Sequence, residues 1–107
     1  MASGTPKLYI IKYDFAENAL EKRAPFREAR EAHVKKFVAS GNVVLGGPYG
    51  NPPITGIMIM RNLTIPQIDQ FLKDDPYVIN GVVTKTTIQP FYATVGDNVL
   101  KDDLAQI

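Results

Sequence analysis

Short runs of β-branched and aromatic residues, bounded by Gly, Pro, Asn or Asp, occur at four places along the chain. Runs of this composition and length are typical of β-strands. They predict strands over residues 7–13, 42–45, 54–61 and 82–91, with the second strand ending where Gly46-Gly47-Pro48 begins. Residues 14–24 are mixed and charged, and they predict a loop containing about one turn of helix.

Two segments between the predicted strands have apolar residues at the spacing of an amphipathic helix. The first is predicted from Pro25 to Ser40, because Pro suits a first helical turn and the following Gly41 a helix end. Its apolar stripe comprises Phe26, Ala29, His33 and Phe37, with Val34 and Val38 beside it. The second has Thr64 as its N-cap and ends at or before Asp75, because the next residue is proline. Its stripe comprises Ile65, Ile68, Phe71 and Leu72.

The order β-α-β-β-α-β predicts an α+β protein of ferredoxin-like fold, in which both helices cover one face of a four-stranded antiparallel sheet. The 107 residues correspond to a single domain. We expect its core to span about residues 7–93, and residues 96–107 to form a polar C-terminal tail.

The predicted strands are apolar on both faces. Leu8 and Ile10 alternate with Tyr9, Ile11 and Tyr13 along the first strand, and the third strand has the same character. Since two helices cover only one face, the second face must be buried by something else. We expect a homodimer, and allow a higher oligomer, with sheets packed face to face. The alternative is that the tail folds back over this face.

Composition excludes several classes of partner. The formal net charge is +1, and the basic residues around positions 22–36 are interleaved with glutamates, the pattern of a solvated helix face. We therefore expect no nucleic-acid binding. No apolar run approaches a membrane span, so no membrane partner is expected and the location is predicted to be cytoplasmic. With no Cys and one His, we expect no disulfide, no metal and no cofactor.

The single histidine is the first candidate for chemistry, because its unperturbed pKa lies near neutrality. His33 lies on the inward stripe of its helix, so it is either a core histidine bonded to a backbone carbonyl or a site residue. Asp75 ends the second helix and, on the same face of the sheet, could orient an imidazole on the first. Arg30 precedes His33 by three residues and is either a surface residue or a clamp for a substrate carboxylate.

Several short motifs resemble the YCII-related (YciI-like) family over roughly residues 8–91. They are Leu20-Glu21-Lys22-Arg23, Arg30-Glu31-Ala32-His33, Gly41 with Gly47-Pro48, Asp75-Pro76-Tyr77 with Gly81, and Gln89-Pro90-Phe91. The resemblance implies a ferredoxin-like fold that dimerises as an α/β barrel. It also implies a His–Asp pair, which falls on His33 and Asp75, and a similarity to muconolactone isomerases and to lyases acting on small ring compounds.

These residues together suggest a cofactor-independent lyase or isomerase acting on a small molecule by proton transfer. His33 would remove the proton, Asp75 would orient and support the imidazolium, Arg30 would bind an anionic substrate group, and Tyr77 would donate to a developing oxyanion. The alternative is a non-catalytic dimeric module that binds a small ligand or accompanies another protein. A third possibility is a cofactor-free oxygenase.

Overall fold

The computed structural model describes residues 7–97 and 99–104. Its strands are β1 (Leu8–Phe15), β2 (Val43–Tyr49), β3 (Thr55–Arg61) and β4 (Val83–Phe91). Its α-helices are α1 (Ala19–Lys22), α2 (Arg27–Ala39), α3 (Ile65–Lys73) and α4 (Pro76–Ile79), and 3₁₀ turns occur at Ala24–Phe26 and Lys101–Asp103. Among the described residues, no helix is both long enough and apolar enough to cross a membrane.

The four strands form one antiparallel sheet in the order β2-β3-β1-β4. This order results from two split βαβ units, in which the strand after each long helix is separated from the strand before it by one intervening strand. The predicted ferredoxin-like α+β fold is therefore confirmed.

The helix-covered face of the sheet carries the main core. Ile11 and Tyr13 of β1 are buried there with Met58 and Met60 of β3. Helix α3 contributes three buried residues, Ile68, Phe71 and Leu72. The predicted N-cap of α3 is confirmed, since the Thr64 hydroxyl accepts from the Gln67 N–H and the Gln67 side chain accepts from the Thr64 N–H. Ile65, which was expected on the buried stripe, is exposed.

The second face is partly covered by the C-terminal segment. Leu8 and Ile59 are buried against Ala93, with Val99 packed beside them. Ala93 also bridges to Leu104. This covering segment ends in a buried ion pair, in which Arg61 of β3 lies 2.7 Å from Asp103. The alternative in which the tail folds back over the sheet therefore holds for one end of this face. On the rest of the face, Leu45 on β2 is exposed, and Ile10 and Ile57 are only half-buried.

Strand β2 is longer than the sequence predicts. It continues through Gly46, Gly47 and Pro48 to Tyr49, opposite Met58 to Thr55 of β3. The prediction that the strand ends at Gly46 was wrong because pairing with β3 outweighs the low strand propensity of Gly and Pro. A proline is tolerated there because β2 is an edge strand, where the missing N–H need not leave a ladder bond unmade.

Helix α2 has no fully buried residue. Four members of its predicted stripe are half-buried, namely Phe26, His33, Val34 and Phe37, whereas Ala29 and Val38 are exposed. This part of the prediction was wrong because one side of α2 borders an open cavity instead of lying flat on the sheet.

Candidate functional site

A cavity of about 450 Å³ lies between α2 and the ends of β1, β2 and β3. Its size falls within the range of small-molecule sites. Most of its wall is apolar, with residues from the helical layer and from three strands. These apolar residues include Phe15, Leu20, Val34, Pro48 and Met58.

Glycines make room for this cavity on the sheet side. Gly46 and Gly56 both line it, and they lie on neighbouring strands. A methyl group at Gly56 would lie 3.1 Å from the ring of Phe15, and one at Gly46 would lie 3.0 Å from the Ile57 carbonyl oxygen. A side chain at either position would therefore require these neighbours to shift by a few tenths of an ångström.

The polar centre of the cavity wall is Arg30. Its Nε lies 3.3 Å from Oδ2 of Asp75, and the guanidinium carbon lies 5.5 Å from the Tyr13 ring centre and 5.0 Å from that of Tyr77. Both ring distances are within cation–π range. The guanidinium is thus fixed by one carboxylate and two aromatic rings, and Arg30, Tyr13 and Tyr77 all line the cavity.

Asp75 is fully buried, and its position follows from the local sequence. The proline after it ends α3 and begins α4, for which Asp75 is the N-cap: Oδ1 accepts from the Tyr77 N–H at 2.9 Å. The second oxygen, Oδ2, then points to Arg30. The Asp-Pro-Tyr segment therefore supplies a helix start, the counter-ion of Arg30 and one of the flanking rings.

His33 points to a different place from Arg30. Its Nε2 lies 2.8 Å from the carbonyl oxygen of Phe71, and its ring stacks on the Phe71 ring at 4.8 Å with Phe37 at its edge. Because a carbonyl only accepts, Nε2 carries the proton and Nδ1 of the neutral ring is the basic nitrogen. His33 is half-buried and does not line the cavity.

Tyr13 has a buried hydroxyl with no hydrogen bond of standard geometry among the described residues. Burial raises the pKa of this phenol far above its usual value, and the positive charge of Arg30 opposes that rise only in part. Tyr13 is therefore a neutral phenol at physiological pH and can act as a hydrogen-bond donor, not as a base.

Charged side chains surround the mouth of the cavity. Arg27 is paired with Glu31 at 3.1 Å, and both side chains are largely exposed. Arg23 is half-buried and Lys35 is exposed, and both also line the cavity. Part of the cluster that was interpreted as a solvated helix face thus borders a cavity.

The structure brings two of the four predicted site residues to the cavity wall, Arg30 and Tyr77, and places Asp75 directly behind Arg30. It does not bring His33 and Asp75 into a hydrogen bond: within the part of the chain that the structure describes, Asp75 bonds Arg30 and Tyr77. The predicted roles of His33 and Asp75 in catalysis stay predictions.

Sequence reasoning missed Arg23 and Tyr13 as cavity residues. For Arg23 a signal was present, because none of the residues three or four positions away from it is acidic, and the same is true of Arg30. Arg27, by contrast, has Glu31 four residues on. An arginine without an acidic neighbour on its own helix must find its partner elsewhere, in the fold or in a ligand. Tyr13 gives no such signal, because an aromatic residue in a strand is ordinary core.

No protein-family model matches the chain, and none of the curated proteins searched matches it. Among solved structures it is similar to 5-chloro-2-hydroxyhydroquinone dehydrochlorinase (TftG) from Burkholderia phenoliruptrix AC1100, in complex with 2,5-dihydroxybenzoquinone. The TM-score is 0.66 with 21% sequence identity, over 78% of this chain and 92% of that one. At this identity the likeness supports the fold, while membership of the YCII-related family stays a prediction from the motifs.

Proposed function

We propose that the chain is a small-molecule lyase or isomerase whose active site is the cavity at Arg30. The observation that carries the proposal is the Arg30 guanidinium, held by buried Asp75 and flanked by two tyrosine rings on the wall of a mostly apolar cavity. A cation and phenolic donors in such surroundings stabilise an oxyanion that develops on a bound ring compound. That the structurally similar TftG is a dehydrochlorinase supports this class of reaction.

The proposed chemistry is redox-neutral. In an elimination, a base takes a proton from the substrate, the electron pair of that bond forms a new double bond, and the leaving group departs with its own bonding pair. In an isomerisation, the proton returns to a different carbon. Arg30 and Tyr77 bind the oxygen on which negative charge develops, and Asp75 acts as a positioning residue for Arg30.

Proton removal is assigned to His33 through Nδ1, the nitrogen left basic by the bond to the Phe71 carbonyl. For this role the imidazole must meet the substrate, and His33 is not among the residues that line the cavity. This position favours a second candidate function, the binding of a small ligand without proton transfer.

The working unit is proposed to be a homodimer. Leu45 is exposed on the second sheet face, and the neighbouring Ile10 and Ile57 are half-buried. Ile10 packs at the edge of the cluster that the C-terminal segment covers, and Leu45 lies on β2 opposite Ile59 of the same cluster. Packing the same face of a second copy against them would remove this apolar surface from water.

The test uses 2,5-dihydroxybenzoquinone as a probe. Isothermal titration measures its binding, and proton NMR in D₂O measures exchange of its ring hydrogens above the protein-free rate. We expect binding to weaken roughly 10- to 100-fold in Arg30→Met, since a hydrogen bond to a charged group contributes about 1.5–3 kcal/mol. Lys36→Met, at an exposed residue of α2 that does not line the cavity, is the matched control.

The outcomes separate the two functions. Exchange that is lost in His33→Gln while binding is retained supports the lyase or isomerase. Binding with no exchange supports the ligand-binding module and contradicts proton transfer. Because Arg30→Met leaves a buried carboxylate unpaired, the double variant with Asp75→Asn is measured beside it. Equal binding by wild type and both Arg30 variants would refute the placement of the site.

A further inference from the structure

The cavity wall carries more positive than negative charge. Among the residues that the structure describes, four cationic side chains line it and one carboxylate does, that of Glu31. Two of the cations have partners: Arg27 is paired with Glu31 and Arg30 with the buried Asp75 behind it. The excess positive charge therefore lies on Arg23 and Lys35.

Arg23 differs from Lys35 in its surroundings. Lys35 is exposed, where water solvates the ammonium group, whereas Arg23 is half-buried. Within residues 7–97 and 99–104, the Arg23 guanidinium forms no ion pair or hydrogen bond. A half-buried arginine on a cavity wall that has no counter-ion favours an anion beside it.

The backbone of Arg23 is fixed, so its side chain starts from a defined point. Its N–H bonds the Ala19 carbonyl at 2.8 Å, and its carbonyl accepts from the Phe26 N–H at 2.9 Å. Arg30 follows seven residues later on a different element, since the 3₁₀ turn Ala24–Phe26 lies between the end of α1 and the start of α2. The two arginines therefore reach the cavity wall from different elements, and Leu20 and Val34 add apolar surface to the same wall.

We propose that Arg23 is a specificity-determining residue that binds a carboxylate on the ligand, while Arg30 faces the ring oxygen. This inference rests on the proposed function for the location of the site, and it narrows the ligand class to unsaturated or aromatic ring acids. A carboxylate suits a single guanidinium because its two oxygens match the planar fork of N–H donors.

The experiment compares a ring acid with its neutral analogue. Binding of 2,5-dihydroxybenzoate and of 2,5-dihydroxybenzamide is measured by isothermal titration at low and high salt. The two probes have nearly the same shape and differ in charge. We expect the acid to bind wild type at least tenfold more tightly, and the preference to shrink as salt rises, because the mouth of the cavity is open to solvent.

Variants then identify the side chain that causes the preference for the acid over the amide. Arg23→Gln should weaken binding of the acid about tenfold and leave the amide within about twofold. Arg23→Lys, which keeps the charge and loses the fork, should restore part of the preference. Lys36→Gln removes one positive charge from α2 at a position away from the cavity and should change neither probe. Thermal unfolding of each variant verifies that it is folded.

The inference is overturned if the wild type binds both probes equally or binds neither. It is also overturned if Arg23→Gln weakens binding of both probes alike, or if Lys35→Gln removes the preference for the acid and Arg23→Gln does not. Tighter binding of phenyl phosphate than of the benzoate would also overturn the carboxylate assignment. Amide binding without acid preference leaves the proposed function standing. An Arg23-dependent preference without any exchange or turnover supports the inference and contradicts the proposed chemistry.

Discussion

The contact between Arg30 and Asp75 makes a quantitative prediction about stability. The perturbation is Asp75→Asn, which removes the charge and keeps a side chain of the same size. The Asp75 side chain is 0% exposed and that of Arg30 is 20% exposed. Since asparagine caps helices about as well as aspartate, the bond to the Tyr77 N–H should persist, and the change isolates the ion pair.

The expected loss follows from burial. Removing one partner of a fully buried pair costs about 3–5 kcal/mol, because it leaves an uncompensated charge. Arg30 keeps some contact with water at the cavity and two ring faces, so we expect the lower end of this range, about 3 kcal/mol. Asp75→Ala should cost about 1 kcal/mol more, since it also removes the cap.

The assay is urea unfolding, which gives the free energy of unfolding of each variant. Asp69→Asn is the matched control, because Asp69 pairs with Lys73 at 2.9 Å on the exposed side of α3. The loss in free energy of unfolding caused by Asp69→Asn should be small and should vanish in high salt, whereas the loss caused by Asp75→Asn should persist. If the two variants lost equal stability, the ion pair at the cavity would not be the buried, fixed contact argued here.

Further predictions concern other parts of the fold. Gly81→Ala should lower the free energy of unfolding by about 1–2 kcal/mol in urea titrations, because a Cβ in the left-handed region lies too close to the following carbonyl oxygen. Gly81 has this backbone conformation, with a positive φ. Tyr13→Phe should be neutral or slightly stabilising at pH 7, since it removes a buried hydroxyl that has no hydrogen bond of standard geometry among the described residues. Burial keeps the pKa of the folded Tyr13 phenol above its ordinary value of 10.0. At higher pH the unfolded phenol loses its proton and the folded one keeps it, so wild-type stability should fall by up to roughly 1.4 kcal/mol per pH unit. Urea titrations from about pH 9 to 11 should show a smaller fall in Tyr13→Phe and an unchanged one in the exposed Tyr49→Phe. Light scattering should give the mass of a dimer for the wild type. Leu45→Asp should reduce this mass to the 11.8 kDa of a monomer, whereas Ile65→Asp, at an exposed residue of α3, should leave the dimer intact. A wild-type monomer at micromolar concentration would contradict face-to-face packing.

Local patterns predicted most of the fold. Alternation along β1 placed Tyr13 on the same face as Ile11, which the structure shows to be the helix-covered face. The N-cap of α3 was predicted from the identity of Thr64 itself. The continuation of β2 through Gly46 and Pro48 could not be predicted from the sequence, because it depends on pairing with β3. Strand propensity describes single residues, whereas an edge strand is held by its neighbour.

The candidate site was predicted in part for a similar reason. Residues three apart on a helix are neighbours, so spacing placed Arg30 beside His33, and the predicted topology placed Asp75 within reach of the same helix. The rotation of α2 about its axis decides which of them borders the cavity, and that rotation is set by tertiary contacts. His33 stacks on Phe71 and bonds its carbonyl, which turns Arg30 toward the cavity.

The contacts of Asp75 and His33 decide between the two pairings. The Asp75 Oδ1 accepts from the Tyr77 N–H and Oδ2 accepts from Arg30, whereas His33 Nε2 donates to the Phe71 carbonyl. Each carboxylate oxygen can accept two hydrogen bonds, so a bond from His33 need not displace either partner of Asp75. Such a bond from Nε2 would, however, take this donor away from the Phe71 carbonyl. Because a half-buried guanidinium left without its carboxylate is also costly, the arrangement with Arg30 on Asp75 and His33 on Phe71 is the favoured one.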